Sequence, residues 1–285
     1  MVFSEWSPPP RRKSYLAIAF PSSVIDTEHT LGLKTLKVGV IARATAIHRV
    51  DEIIVYTDKP GYEDKTHFIV DILEYLSVPP YLRRKIIPKK PTLKYVGLLP
   101  PLKTPSHIKT RTLKNGEFRD ALFIRRHGKV YAYVGVGRPI PVKGRVERDY
   151  NVGPVKLVIK KDEKYAIPVR KEEIPYYWGF SVSWAEDLGE VLSIKWDLRI
   201  ATSRLGEPIG RVWDSLADKY FNSKRTLIAF GSPTEGLWTI AGRLGIDLKD
   251  SFDFIINFIP SQGVETVRTE EAIMSVLEYF TLLDA

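Results

Sequence analysis

The 285-residue chain contains no cysteine. This excludes disulfides, thiolate metal centres and a cysteine nucleophile. No apolar run approaches the roughly 18 residues needed to span a bilayer. Amides and methionine are scarce, with Asn only at 115, 151, 222 and 257, Gln only at 262, and two Met. With plentiful Lys, Arg and Glu, this is the usage expected of a protein from a hot-living organism. The five histidines (29, 48, 67, 107 and 127) lack ligand spacing, so no metal site is expected. There is no Walker A loop, no GxGxxG and no Gly-x-Ser-x-Gly elbow, which disfavours ATP and NAD sites and a hydrolase triad.

What is present is positive charge, unevenly spread. The net charge is +9, yet Leu82 to Arg148 alone holds 18 Lys/Arg against three acids, leaving the remainder net negative. Such asymmetry points to a module that faces an anion, above all nucleic acid, the alternative being a solvated basic surface. Phe118, Phe123, Tyr131, Tyr133 and Tyr150 supply rings on which bases could stack. Residues 1–13, with Pro-Pro-Pro-Arg-Arg-Lys, read as a mobile basic arm rather than a signal peptide, so the cytoplasm is the expected address.

The hydrophobic pattern predicts strands at 14–22 and 52–57 and helices over 31–49 and 66–76. This βαβα order calls for a parallel sheet. Five prolines between Pro88 and Pro105 mark a crossing segment. Short runs beginning at Ala121, Lys129, Val155 and Lys164, separated by turn residues, predict a small barrel of the OB type. The α/β pattern then returns: a strand over 191–196, a helix over 208–219, strands over 225–230 and 252–259, a short helix over 237–244, and a last helix capped by Thr269. The simplest organisation is an arm (1–13), a discontinuous α/β domain (14–105 and 186–285) and an inserted barrel (106–185). Loops 231–236 and 260–269 follow strands, where ligands of open α/β sheets bind; ordinary βα turns are the bland alternative.

The segment INFIPSQGVETVRTEEAI (256–273) closely resembles the last motif of SPOUT-class RNA methyltransferases, in the family that holds the human centromere-associated enzyme and its archaeal relatives. PLKTPSHIKT (101–110), YYWGFSV (176–182), IATSRLGEPI (200–209) and LIAFGSPTEGL (227–237) resemble further motifs of that family, in the same order. The resemblance implies a trefoil-knotted α/β domain interrupted by an OB-like barrel, a homodimer, and S-adenosylmethionine held bent by backbone groups of three loops. Carried over, the cofactor residues are Thr202, Ser203, Phe230, Gly231, Ser232, Pro233, Gly236, Ile259, Pro260, Gln262, Gly263, Thr266, Val267 and Thr269. The implied substrate is uridine N3 in large-subunit ribosomal RNA. Asn257 would orient the base or cofactor, or simply cap a turn; Arg204 and Arg268 would stabilise a uracil anion or grip phosphate, with anchoring of the dimer or knot the alternative for Arg268. Arg204 stands one position before the family's arginine, whose place Leu205 takes. Glu235 is read as a base or a helix cap, and His107 as an RNA contact or a packed side chain. The barrel's RNA-binding candidates are Arg119, Arg125, Arg126, Lys129, Arg138, Lys143 and Arg145. A protein methyltransferase acting on a ribosomal protein, and a non-catalytic RNA-binding assembly factor, stay open beside this reading.

Overall fold

A computed structural model describes residues 6–284. Packing divides it into two units: residues 12–76, 90–101 and 180–284, and residues 6–11, 77–89 and 102–179.

The larger unit is built on a parallel sheet. Its strands are β1 (Tyr15–Pro21), β2 (Glu52–Tyr56), β8 (Ser181–Ala185), β9 (Leu198–Pro208), β10 (Arg225–Ala229) and β11 (Phe254–Asn257), in the order β11-β9-β10-β1-β2-β8. Nearly every residue of β1, β2 and β10 is buried. Consecutive burial means that both faces are covered, which is why these strands read as continuous apolar runs. The helices are α1 (Leu31–Ile47), α2 (Glu63–Ser77), α4 (Leu188–Ser193), α5 (Ile209–Phe221), α6 (Leu237–Arg243), α7 (Leu248–Ser251) and α8 (Thr269–Leu283). Local chemistry starts several of them. Thr30 Oγ1 accepts from Leu33 N at α1, and Glu63 and Asp64 occupy the positive first turn of α2.

The smaller unit carries α3 (Pro80–Ile86) and an antiparallel sheet ordered β5-β4-β3-β6-β7. These strands are β3 (Phe118–Arg126), β4 (Lys129–Tyr133), β5 (Ile140–Pro141), β6 (Val152–Ile159) and β7 (Lys164–Pro168). A bridge from Val142 to Ala166 draws the two edges together, so the sheet nearly closes into a barrel. Ala121, Phe123, Ala132, Val155 and Leu157 fill its interior.

Four expectations are corrected. Residues 191–196 are not a strand: Asp187 caps α4 there by accepting from Glu190 N at 2.9 Å. Residues 181–185 belong to the parallel sheet, because β8 pairs in register with β2; residues 77–89, by contrast, pack with the barrel. The described part of the N-terminal arm is held rather than loose. Arg12 is buried and bonds to Asp284 and to the carbonyls of His48 and Phe280, and Tyr177 N donates to Pro9 O. Thr269 is the first residue of α8, not its cap; its hydroxyl donates instead to Gly231 O at 3.0 Å.

Candidate active site

In a parallel sheet every strand delivers its carboxyl end to one edge. Here β9, β10 and β11 do so side by side, and the decisive feature is a break in register. Ile255 of β11 pairs with Ala201 of β9, but the next residue, Ile256, pairs with Glu207. Residues 202–206 therefore leave the ladder as an excursion. Gly206 lets the strand return. A Cβ there would lie 2.5 Å from Ile255 O, so the two backbones touch where no side chain fits.

The excursion, the loop after β10 and the loop after β11 enclose a cavity of about 410 Å³. Thr202 Oγ1 donates to Ala229 O at 3.0 Å, tying the excursion to β10. The 231–236 loop closes on itself through Ser232 N to Glu235 O and Glu235 N to Ser232 Oγ. Tyr56, at the end of β2 two strands away, donates through its OH to Phe230 O and fixes the start of that loop. Arg204 ties the first loop to the third by donating to Glu265 O at 3.1 Å, and Gln262 Nε2 braces the third loop within itself by donating to the carbonyls of Val264 and Glu265.

Of the residues expected at the cofactor, Thr202, Ser203, Phe230, Gly231, Ser232, Pro233, Gly236, Ile259, Gln262, Thr266, Val267 and Thr269 line this one cavity. Pro260 and Gly263 lie on the exposed outer side of the same loop and do not line it. Asn257 lines the cavity, but both ends of its amide are engaged. Nδ2 donates to Arg204 O at 3.1 Å and Oδ1 accepts from Ile259 N at 3.0 Å. It clamps the first loop to the third and so matches the turn-capping alternative. Arg204 lines the cavity; Arg268 does not, being exposed with its backbone N bonded to Glu271. Glu235 is gripped by Arg243 and by Lys59, 3.4 Å away, and its hydrogen bond to Arg243 holds the carboxyl below the usual range. That is the wrong direction for a general base.

Sequence reasoning missed several lining residues. Trp238 and Thr239 occupy the first turn of α6, and Ala272 and Val276 recur at helical spacing from Thr269 along α8. The spacing puts Ala272 and Val276 on the buried face of α8; that this face borders the cavity is not legible from it. Leu205 lines the mouth with 75% of its surface exposed. Trp238 Nε1 is buried and has no hydrogen-bond partner. An orphaned buried donor beside a cavity favours a ligand that offers an acceptor.

In the barrel unit, Arg125, Arg126, Lys129, Arg138, Lys143 and Arg145 are exposed, and Arg126 with Lys129 flanks the His127-Gly128 turn. Arg119 is not a surface cation. It is 1% exposed, ion-paired to Glu117 and bonded to the carbonyls of Val134 and Thr112. His107 is packed: it is buried, bonds to Ser77 O, and burial lowers its pKa to about 4. Among the described residues no cluster of three or more His, Asp or Glu could hold a metal, and no helix is long and apolar enough to cross a membrane.

A parallel α/β unit with a loop-walled cavity, joined to a basic barrel-like unit, is the frame of a nucleic-acid-modifying enzyme. A family model described as "Putative RNA methyltransferase" matches residues 15–280, and the chain belongs to that RNA methyltransferase family. It is 31% identical to an uncharacterized protein of Haloarcula marismortui, over 94% of this chain and 99% of that one. It is 31% identical to the 28S rRNA (uridine-N(3))-methyltransferase of Homo sapiens, over 91% of this chain and 76% of the human protein. The Drosophila melanogaster protein of the same name is 29% identical, over 93% of this chain and 61% of its own length.

Proposed function

We propose that the chain methylates N3 of a uridine in large-subunit ribosomal RNA, with S-adenosylmethionine as donor. The observation that carries this is the cavity itself, where three loops that match the family's motifs converge and a buried Trp238 donor lacks a partner. The residues fit the donor. Gly236 leaves open space where a side chain would stand, and the walls alternate polar Thr202, Ser203 and Thr266 with apolar Ile259 and Val267. When bound, the donor supplies a methyl group on a sulfonium.

The residues then divide the work. The 202–203, 230–236 and 259–269 segments hold the donor, and Asn257 keeps two of them in register. Holding both reactants in line supplies much of the rate. Uridine N3 carries a proton that must leave before or during attack. Arg204 at the mouth stabilises the resulting anion. Two carboxylates line the cavity. Glu235 is clamped by cations, whereas Glu265 makes no ion pair among the described residues. Glu265 is therefore the proton acceptor in this proposal.

The near-closed five-stranded sheet supports the OB-like insertion, and its exposed cations support RNA binding through phosphates. The docking of α8 on the loops, through Thr269 to Gly231 O and Tyr279 to Phe258 O, supports the knotted arrangement. An apolar stripe on α1 formed by Leu33, Leu36, Val40 and Ile47, each at least 39% exposed, supports a homodimer.

The test is methyl transfer from labelled S-adenosylmethionine to unmodified ribosomal RNA, followed by nucleoside digestion. Label in 3-methyluridine is expected. Label in ribosomal protein would overturn the RNA assignment, and no label with intact donor binding would favour the assembly-factor reading.

A further inference from the structure

We infer that the smaller unit holds a second binding pocket, which takes one unstacked nucleotide of a single-stranded RNA segment. It is separate from the methyl-transfer cavity, and the inference rests on the RNA-substrate reading above. A cavity of about 360 Å³ opens between α3, the 108–111 segment and strands β3 and β4. Volumes of this order hold small ligands.

Its charge is of one sign. Arg84, Lys109, Arg111 and Arg119 line it, and no carboxylate does. Arg84, Lys109 and Arg111 are exposed and make no ion pair among the described residues. The two nearest acids in the chain are spoken for: Glu117 is bound by Arg119, and Asp120 accepts from Trp178 Nε1 at 2.9 Å. Three unpaired cations beside one buried arginine attract an anion.

The second observation is Arg119 itself. Its side chain is 1% exposed and its terminal nitrogens are satisfied, but Nε is buried without a partner. A guanidinium fixed in this way costs free energy unless its last donor is used. The third observation is the wall. The Tyr133 ring lies half-buried with Lys85 Nζ 4.6 Å from its centroid, a cation–aromatic platform of the kind on which a base stacks. The Tyr81 wall is fixed as well. Its hydroxyl donates to Asp120 O, and its ring packs against Gly135, where a Cβ would lie 2.7 Å away; the φ of +85° there also favours glycine. Cations for a phosphate, a ring for a base and walls that cannot drift together describe a site for a nucleotide.

The test measures binding of the full chain to a fluorescein-labelled 12-nucleotide oligouridine by anisotropy across a salt series, with S-adenosylmethionine binding followed by calorimetry. The Arg84→Ala/Arg111→Ala double variant is expected to weaken RNA binding about tenfold and to flatten the salt dependence by about one to two phosphate contacts. Tyr133→Leu keeps the charge and is expected to lose about tenfold with the salt slope unchanged. Donor affinity and melting temperature should match the parent chain in both. Two results would overturn the pocket. One is parent-like RNA affinity in both variants while Arg125→Ala/Lys129→Ala is weakened, which leaves RNA binding itself standing. The other is loss on charge removal alone, which reduces the pocket to a basic surface. A parent chain that binds no RNA would sink the substrate reading and this site with it.

Discussion

Replacing Gly206 with alanine tests whether the flush contact between β9 and β11 shapes the candidate site. The added Cβ would lie 2.5 Å from Ile255 O, 2.7 Å from Ile255 C and 2.8 Å from Ile256 C. All three are backbone atoms, so no rotamer change relieves the clash; the strands must separate by several tenths of an ångström. Forced overpacking of this kind costs about 1–3 kcal/mol. For a chain of this size that is a fall of about 2–10 °C in melting temperature. The local effect should exceed the global one, because Gly206 ends the excursion that carries Thr202, Ser203 and Arg204. Moving it breaks the Asn257 to Arg204 O clamp. Calorimetric affinity for S-adenosylmethionine should fall more than tenfold. The matched control is Gly210→Ala, four residues on in α5, where a Cβ meets nothing within 4 Å. Alanine there should stabilise the helix by about 0.5–1 kcal/mol and leave donor binding intact. Parent-like melting and affinity in Gly206→Ala, or equal damage in both variants, would refute the role given to the register break.

Other consequences follow from the same geometry. Arg12→Met removes the buried partner of Asp284, with Arg49 left 3.7 Å away; the loss should be about 3 kcal/mol, read as a melting temperature lower by roughly 10 °C. Burial raises the Asp120 carboxyl to about 6, above its ordinary 3.8, against the lowering effect of the Trp178 hydrogen bond. Folding therefore favours its protonated form. That stability is full below about 4 and is lost as pH rises to about 6. Because Asp120 keeps some solvent contact, the loss should be about 1–2 kcal/mol, and Asp120→Asn should flatten the pH profile of unfolding in that window. Glu265→Gln should lower the rate of methyl transfer about a hundredfold at neutral pH, with donor affinity retained. Val40→Asp places a charge on the apolar stripe of α1 and should yield a 32.5 kDa monomer by light scattering, with twice that mass expected for the parent if the proposed dimer forms.

What was legible in the sequence depended on whether neighbours along the chain decide the outcome. β1, β2 and β10 are buried on both faces, so their apolar runs announce them. β8 reads SVSWA, an alternation that suits the edge of either sheet, and only its pairing with β2 decides between them. Residues 191–196 mix Val, Leu, Ile and Trp in a strand-like way, yet the Asp187 cap four residues earlier wins a helix. Arg119 shows the same limit on charge counting. A basic total cannot say which cation turns inward; the alternation of Arg119 with Ala121 and Phe123 along β3 could have, since all three are buried and the residues between them are only partly so.

The loops that line the candidate cavity were legible in the sequence and their assembly was not, for a physical reason. Its walls are strand ends, and motifs at strand ends can be read one loop at a time. The device that brings the loops together is a five-residue departure from the β9–β11 ladder, and its cause lies 50 residues away at Ile255. Nothing local marks it except one glycine with no turn to make, since Gly206 is absent from the positive-φ glycines. The Asn257 amide carries the same lesson. A polar side chain at a strand end near a ligand site reads as a hand held out to substrate. Here the two bonds it makes, to Arg204 O and Ile259 N, spend it on holding two loops at a fixed distance. Positioning of this kind leaves the proposed chemistry to side chains that the frame does not use; of the two carboxylates lining the cavity, Glu235 is ion-paired, whereas Glu265 joins the frame through its backbone carbonyl alone.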